Sequence, residues 1–94
     1  MCGIFGVTEK NISVVSQMIS KCSYRGPDNS SIWHSHKLTL GHNLLSITSS
    51  PSDGKQPYET ERGNILIYNG EIFNYQNLLK SFKDKFLPKT SCDT

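Results

Sequence analysis

Apolar and polar residues follow one another in short, uneven blocks, and most blocks fit a single element. The opening run Gly3–Val7, GIFGV, is an uninterrupted apolar stretch of strand length, with glycines that permit close backbone approach. Asn11 stands where an N-cap belongs, ahead of Ile12, Val15, Met18, Ile19 and Cys22. Their spacing is near 3.6 residues and predicts an amphipathic helix. The stretch SYRGPDNS (23–30) is turn chemistry: Gly26 and Pro27 end the helix, and Asp28 and Asn29 favour tight turns. From Ile32 to Ile47 the pattern predicts two strands meeting near Ser35 and His36. In the second of them Leu38, Leu40, His42 and Leu44 share one face, and Thr39, Gly41, Asn43 and Leu45 share the other.

The second half of the chain is more polar. Thr48 to Tyr58, TSSPSDGKQPY, reads as a loop. Asn64 to Tyr68, NILIY, reads as a strand ending in Asn69-Gly70, the favoured pair for a tight hairpin turn. Asn74 is placed to cap a second helix, with Leu78, Leu79 and Phe82 inward and Lys80, Lys83, Asp84 and Lys85 on its wet side. Strands interspersed with two helices predict an α+β fold, in one domain over residues 1–94 with no internal repeat.

Composition narrows the function classes. Hydrophobic residues are 35% of the chain, charged residues 19%, and the net charge is +2. The basic residues are scattered, so no nucleic-acid partner is expected. No apolar run approaches the roughly 20 residues of a membrane span, and the first apolar stretch lacks the length and basic leader of a signal peptide. The three cysteines, Cys2, Cys22 and Cys92, are an odd set without a CxxC pair. They argue against a disulfide framework or structural zinc and predict a reducing, cytoplasmic setting. Cys22 and Cys92 read as small hydrophobes or idle thiols. His34, His36 and His42 share strand parity, which raises a metal site only as the weaker reading.

Cys2 is the residue with chemical potential. Removal of Met1 would leave a thiol and a free α-amine on one residue, and that amine has an intrinsic pKa of about 8. It is then near enough to neutrality to act as a general base, the N-terminal-nucleophile variant of triad logic. Position alone does not decide the matter, since a second-position cysteine is more often idle.

Six segments in order change the odds: MCGIFGV (1–7), YRGPD (24–28), the GH and LSI elements of Gly41–Ile47, KQP (55–57), YNGEIFNY (68–75) and KTSCDT (89–94). Together, and over the whole chain, they resemble the class II glutamine amidotransferase domain of glutamine-hydrolysing asparagine synthetases. The resemblance implies a partial αββα sandwich of the N-terminal-nucleophile hydrolase type. It implies Cys2 as the nucleophile that takes the side-chain amide of glutamine to a thioester and ammonia. Asn69, through its side-chain amide, and Gly70, through its backbone N–H, match the oxyanion hole. Asp93 matches the acidic residue that holds the α-ammonium, and Glu71 and Ile47 match substrate-binding positions. Arg25 is read as structural, holding the N-terminal strand in place, and His42 matches a recurrent histidine of the family. No cofactor is expected in this segment; ATP and Mg2+ are implied only for a synthetase domain, the expected partner in the same or another chain.

Two departures accompany the resemblance. Leu44 stands where the family pattern H-x-R-L-S-I has an arginine that grips the α-carboxylate of glutamine. The chain also stops inside the KTSCDT motif, so it is expected to represent only part of the domain. The alternative reading is a catalytically degenerate amidotransferase-like module with a docking or regulatory role. A third, less favoured reading is an amidotransferase serving another acceptor, such as an amino sugar or purine precursor.

Overall fold

The alternation of polar and small residues in the fourth of these blocks organises the molecule. A computed structural model describes every residue except 48, 49, 83, 86, 89–91 and 94. Strand β1 (Gly3–Val7) leads into helix α1 (Ile12–Lys21), and a 3-10 turn (Ser23–Arg25) leads into the hairpin of β2 (Asn29–His34) and β3 (Thr39–Leu44). The three strands form an antiparallel sheet of order β1-β3-β2. Two further short strands, β4 (Tyr58–Glu59) and β5 (Ile65–Leu66), form a second antiparallel sheet, and helix α2 (Tyr75–Phe82) follows. The α+β expectation holds.

The central strand β3 reads TLGHNL, and its odd and even positions do different work. Thr39, Gly41 and Asn43 face α1. Thr39 Oγ1 accepts from Asn11 N–H at 2.9 Å and donates to the Glu9 carbonyl at 2.8 Å, which pins the helix start. Asn43 Nδ2 donates to the carbonyls of Ile19 and Cys22, both at 3.0 Å, and its Oδ1 accepts from Ser30 Oγ at 2.9 Å. The helix end is thereby tied to a neighbouring strand, whose amide adds a second donor to carbonyls that already accept the Cys22 and Arg25 N–H groups. Between the two pins a Cβ on Gly41 would lie 2.6 Å from Val15 Cγ1, so the glycine lets the helix sit flat on the sheet. Asn11 caps as predicted, its Oδ1 accepting from Val14 N–H at 3.1 Å.

His42 and Leu44 occupy the other face, as the parity reading required. Register corrects the histidine reading, however. His34 pairs with Thr39 and so projects to the α1 side, opposite His42, because parity along one strand does not carry through a turn. Strand bounds also shift. β2 begins at Asn29 rather than Ile32, because the Asp28 N–H donates to the Leu44 carbonyl at 3.0 Å and opens the ladder early. β3 ends at Leu44, leaving Leu45–Ile47 free of the sheet.

The predicted strand 64–68 shrinks to Ile65–Leu66. Its hairpin turn lies ahead of it, where Gly63 has φ 80° and its N–H donates to the Thr60 carbonyl at 2.9 Å. Gly63 is the only positive-φ residue described, so Asn69-Gly70 does not form the tight hairpin turn its composition favours. In α2, Leu78 and Phe82 are 40% and 50% exposed and Leu79 is half-buried, a looser face than predicted; Lys83 lies outside the described residues. Among the described residues Val15 and Leu44 are the buried apolar side chains, beside buried Thr39, His42, Asn43 and Gln56. The described residues include no helix long and apolar enough to cross a membrane, and no disulfide joins Cys2, Cys22 or Cys92.

Candidate active site

Cys2 precedes β1 and is held from two directions. Its Sγ accepts from the Leu45 N–H at 3.4 Å and approaches the Leu45 carbonyl at 3.8 Å. Its own carbonyl accepts from Arg25 Nε–H at 3.1 Å, which is the N-terminal anchoring read from the YRGPD segment. Asp28 completes the arrangement, with Oδ2 accepting from Ser46 N–H at 2.7 Å. The RGPD loop thus clasps the nucleophile candidate on one side and the exit of β3 on the other. Cys2 is half-buried. The Ser46 hydroxyl beside it is buried without a hydrogen-bond partner among the described residues.

Asn69 and Gly70 are exposed on the segment that follows β5. Tyr68, just before them, is held at both backbone groups. Its N–H donates to Gln56 Oε1 at 2.5 Å, and its carbonyl lies 3.3 Å from His42 Nε2. Gln56 is itself tied to β2, its carbonyl accepting from Ser31 Oγ. A Cβ on Gly70 would fall 2.5 Å from the Tyr68 hydroxyl oxygen, so the phenol ring lies over this position. Asp93 returns to the same segment, with Oδ2 accepting from Ile72 N–H at 2.7 Å. Glu71 and Ile47 are exposed.

Burial holds the His42 imidazole below its ordinary pKa of 6.5, and the bond to the Tyr68 carbonyl acts in the opposite direction. The ring is therefore neutral near pH 7, and a neutral imidazole facing a carbonyl carries its proton on the nitrogen that faces it. The thiol and the loop are brought to one strand, with Leu45 at the exit of β3 touching Cys2 and His42 within β3 holding Tyr68. Among the described residues no hydrogen bond joins Cys2 to Asn69, Gly70 or Asp93. Nor do they include a group of three or more His, Cys, Asp or Glu side chains that could hold a metal ion.

A cavity of about 640 Å3 lies between the β4–β5 hairpin and α2. Tyr58, Arg62, Tyr75, Leu79, Cys92 and Asp93 are on its wall, while Cys2, Asn69 and Gly70 are not. Asp93 is thus the one proposed substrate contact that reaches it. Leu44 is buried close by, where its Cδ1 and Cys92 Sγ lie 3.2 and 3.6 Å from the place a Gly54 Cβ would occupy. Lys89, Thr90, Ser91 and Thr94 of the last motif, and Thr48 and Ser49 of the polar loop, lie outside the described residues. Gln56 and Asp28 carry positions that periodicity alone does not mark. Only their membership of the KQP and YRGPD segments singles them out.

The family profile described as glutamine amidotransferase domain matches residues 1–94. Asparagine synthetase B (glutamine-hydrolyzing) of Escherichia coli K12 is 31% identical over 99% of this chain and 18% of its own length. Asparagine synthetase (glutamine-hydrolyzing) 3 of Bacillus subtilis 168 is 34% identical over 88% of the chain and 15% of its own length. Amidase chry2 of Gibberella zeae is 30% identical over 94% of the chain and 14% of its own length. The chain spans less than a quarter of the length of each of these relatives.

Proposed function

Because the chain belongs to the glutamine amidotransferase domain family, we propose that it forms the Cys2-bearing part of a glutaminase site in an asparagine synthetase. Loss of Met1 frees the Cys2 amine, which accepts the thiol proton as the sulfur attacks the side-chain amide carbon of glutamine. The tetrahedral oxyanion is met by the Asn69 side-chain amide and the Gly70 N–H. Collapse passes the proton to the leaving nitrogen, releases ammonia and leaves a thioester, which water hydrolyses to glutamate. Losing one oxyanion donor in such a step typically costs about 2.7–4 kcal/mol. Asp93 holds the α-ammonium, with Glu71 and Ile47 beside it.

In this reading the two sheets are the start of an αββα sandwich, and the remainder of the domain covers the apolar surface left open. Ammonia then passes to activated aspartate on a synthetase domain, where ATP and Mg2+ are used. Three cysteines without a disulfide suit a reducing cytosol.

The observation that carries the proposal is the clasp on Cys2. A thiol that is merely idle has no need of Arg25 on its carbonyl and a backbone N–H on its sulfur. Intact-mass analysis of protein made in cells, before and after treatment with a glutamine-like chloroketone, tests it. The expected result is loss of one methionine and a single adduct that disappears in Cys2→Ala. Retained Met1 or labelling independent of Cys2 overturns it. Buried Leu44 favours the competing reading, a module of the same fold that hydrolyses nothing. That reading gains if Met1 is removed, Cys2 reacts with iodoacetamide, and the glutamine-like reagent shows no preference over it.

A further inference from the structure

The segment bearing Asn69 and Gly70 has no strand to hold it. β5 ends at Leu66, and its ladder pairs only Ile65 and Leu66 with β4. An unpaired backbone of this kind normally takes its hydrogen bonds from water and samples several orientations. Here the two backbone groups of Tyr68 are taken instead by side chains that are almost fully enclosed, His42 at 1% and Gln56 at 3% exposure. Both are rooted in the three-stranded sheet. His42 belongs to its central strand, and Gln56 is tied by its carbonyl to Ser31 of β2.

We infer that His42 and Gln56 are positioning residues that set the orientation of Asn69 and Gly70 by gripping the backbone of Tyr68. The inference rests on the proposed role of those two residues as oxyanion donors. In a trans peptide the carbonyl of one residue and the N–H of the next point in opposite directions. Drawing the Tyr68 carbonyl onto His42 therefore turns the Asn69 N–H away from the sheet and fixes the heading of the chain into Gly70. The Gln56 contact holds the other side of Tyr68, so the residue cannot swivel about its own backbone. Closure of the Tyr68 ring over Gly70 adds a third restraint. Neutral imidazole suits this task, since it donates from Nε2 without placing a charge beside the loop. Donors fixed in advance stabilise a developing oxyanion without reorganising, which is where such sites gain their rate.

The test uses the full 94-residue chain, isotopically labelled, and three variants. His42→Phe keeps a ring without a donor, His42→Gln restores an N–H donor, and Gln56→Met removes the acceptor at similar length. Order parameters and residual dipolar couplings of the Asn69 and Gly70 N–H vectors report the loop, and amide exchange in β3 reports the sheet. The expected result is a disordered loop over an unchanged β3 in His42→Phe and Gln56→Met, with order recovered in His42→Gln. Where glutamine turnover is measurable, kcat should fall about tenfold or more in the first two variants with KM nearly unchanged. Alkylation of Cys2 by iodoacetamide builds no oxyanion and should keep its rate. An equally ordered loop in His42→Phe and Gln56→Met overturns the inference. So does loosening of β3 together with the loop in both, or a failure of His42→Gln to recover what His42→Phe loses. Absence of glutamine hydrolysis by the unaltered chain counts against the oxyanion role alone, because the loop's order is read without turnover.

Discussion

Residues 1–47 and 50–93 are built on different terms. The first region has strands of five, six and six residues, and a ten-residue helix pinned at its start by Thr39 and at its end by Asn43. Most of its side-chain hydrogen bonds close within it, those of Thr39, Asn43 and Asp28 among them. The second region has two strands of two residues each and a helix whose apolar side chains border an open cavity. What order it has is partly lent by the first, through His42 and Tyr68. The proposed chemistry divides the same way. The proposed nucleophile sits on the first region, and the proposed oxyanion donors sit on the second.

Removing a pin from the first region should produce the largest change in stability. Asn43→Leu removes a fully buried amide that donates to the Ile19 and Cys22 carbonyls and accepts from the Ser30 hydroxyl. A loss of about 2 kcal/mol is expected in urea denaturation, since each lost hydrogen bond contributes about 0.5–1.5 kcal/mol. By contrast Leu78→Ser in α2 should cost no more than about 1 kcal/mol, because the side chain is already 40% exposed. Equal losses at the two positions would erase the distinction between the regions.

Leu44→Arg probes the seam between them. Under the proposed function the guanidinium supplies the missing carboxylate contact, worth about 1.5–3 kcal/mol per charge-assisted hydrogen bond, and the glutamine KM should fall about tenfold or more. A variant that only loses thermal stability, with KM unmoved, would mean that residue 44 is sealed from substrate by Gly54 and Cys92.

Asn11→Ala should cost about 1 kcal/mol through loss of the α1 cap. The loss should appear in residues 1–47 by amide exchange and leave the Tyr68 amide unaffected. The smallest effect concerns His42. Its native pKa lies below 6.5, so the unfolded chain binds the proton first as pH falls. Stability should therefore be fully present above pH 6.5 and decline as pH drops from there towards the depressed native value. Urea midpoints across this range should show that slope, and His42→Phe should lack it.

Much of the first region is legible in the residues themselves. Asn11 as a cap, α1 with Val15 innermost, the turn near Ser35 and the two faces of β3 all follow from spacing, because helix and strand periods are local properties. The Cys2 candidacy came from motifs in sequence order, which carry information that periodicity lacks. The rest was decided by tertiary structure. Asn69-Gly70 carries the composition of a hairpin turn, yet the turn forms at Gly63, and Tyr68 is drawn instead onto His42, 26 residues away. Cys2 finds Leu45 at a separation of 43 residues, and Asp93 finds Ile72 at 21. Such contacts leave no periodic trace, because each depends on where a whole sheet places a single side chain. The core is the clearest instance. Thr39, His42 and Asn43 look like surface residues by type, and they are enclosed because α1 covers one face of β3 and the segments of Gly54 and Tyr68 lie against the other, where a polar group is stable only with its partner in reach.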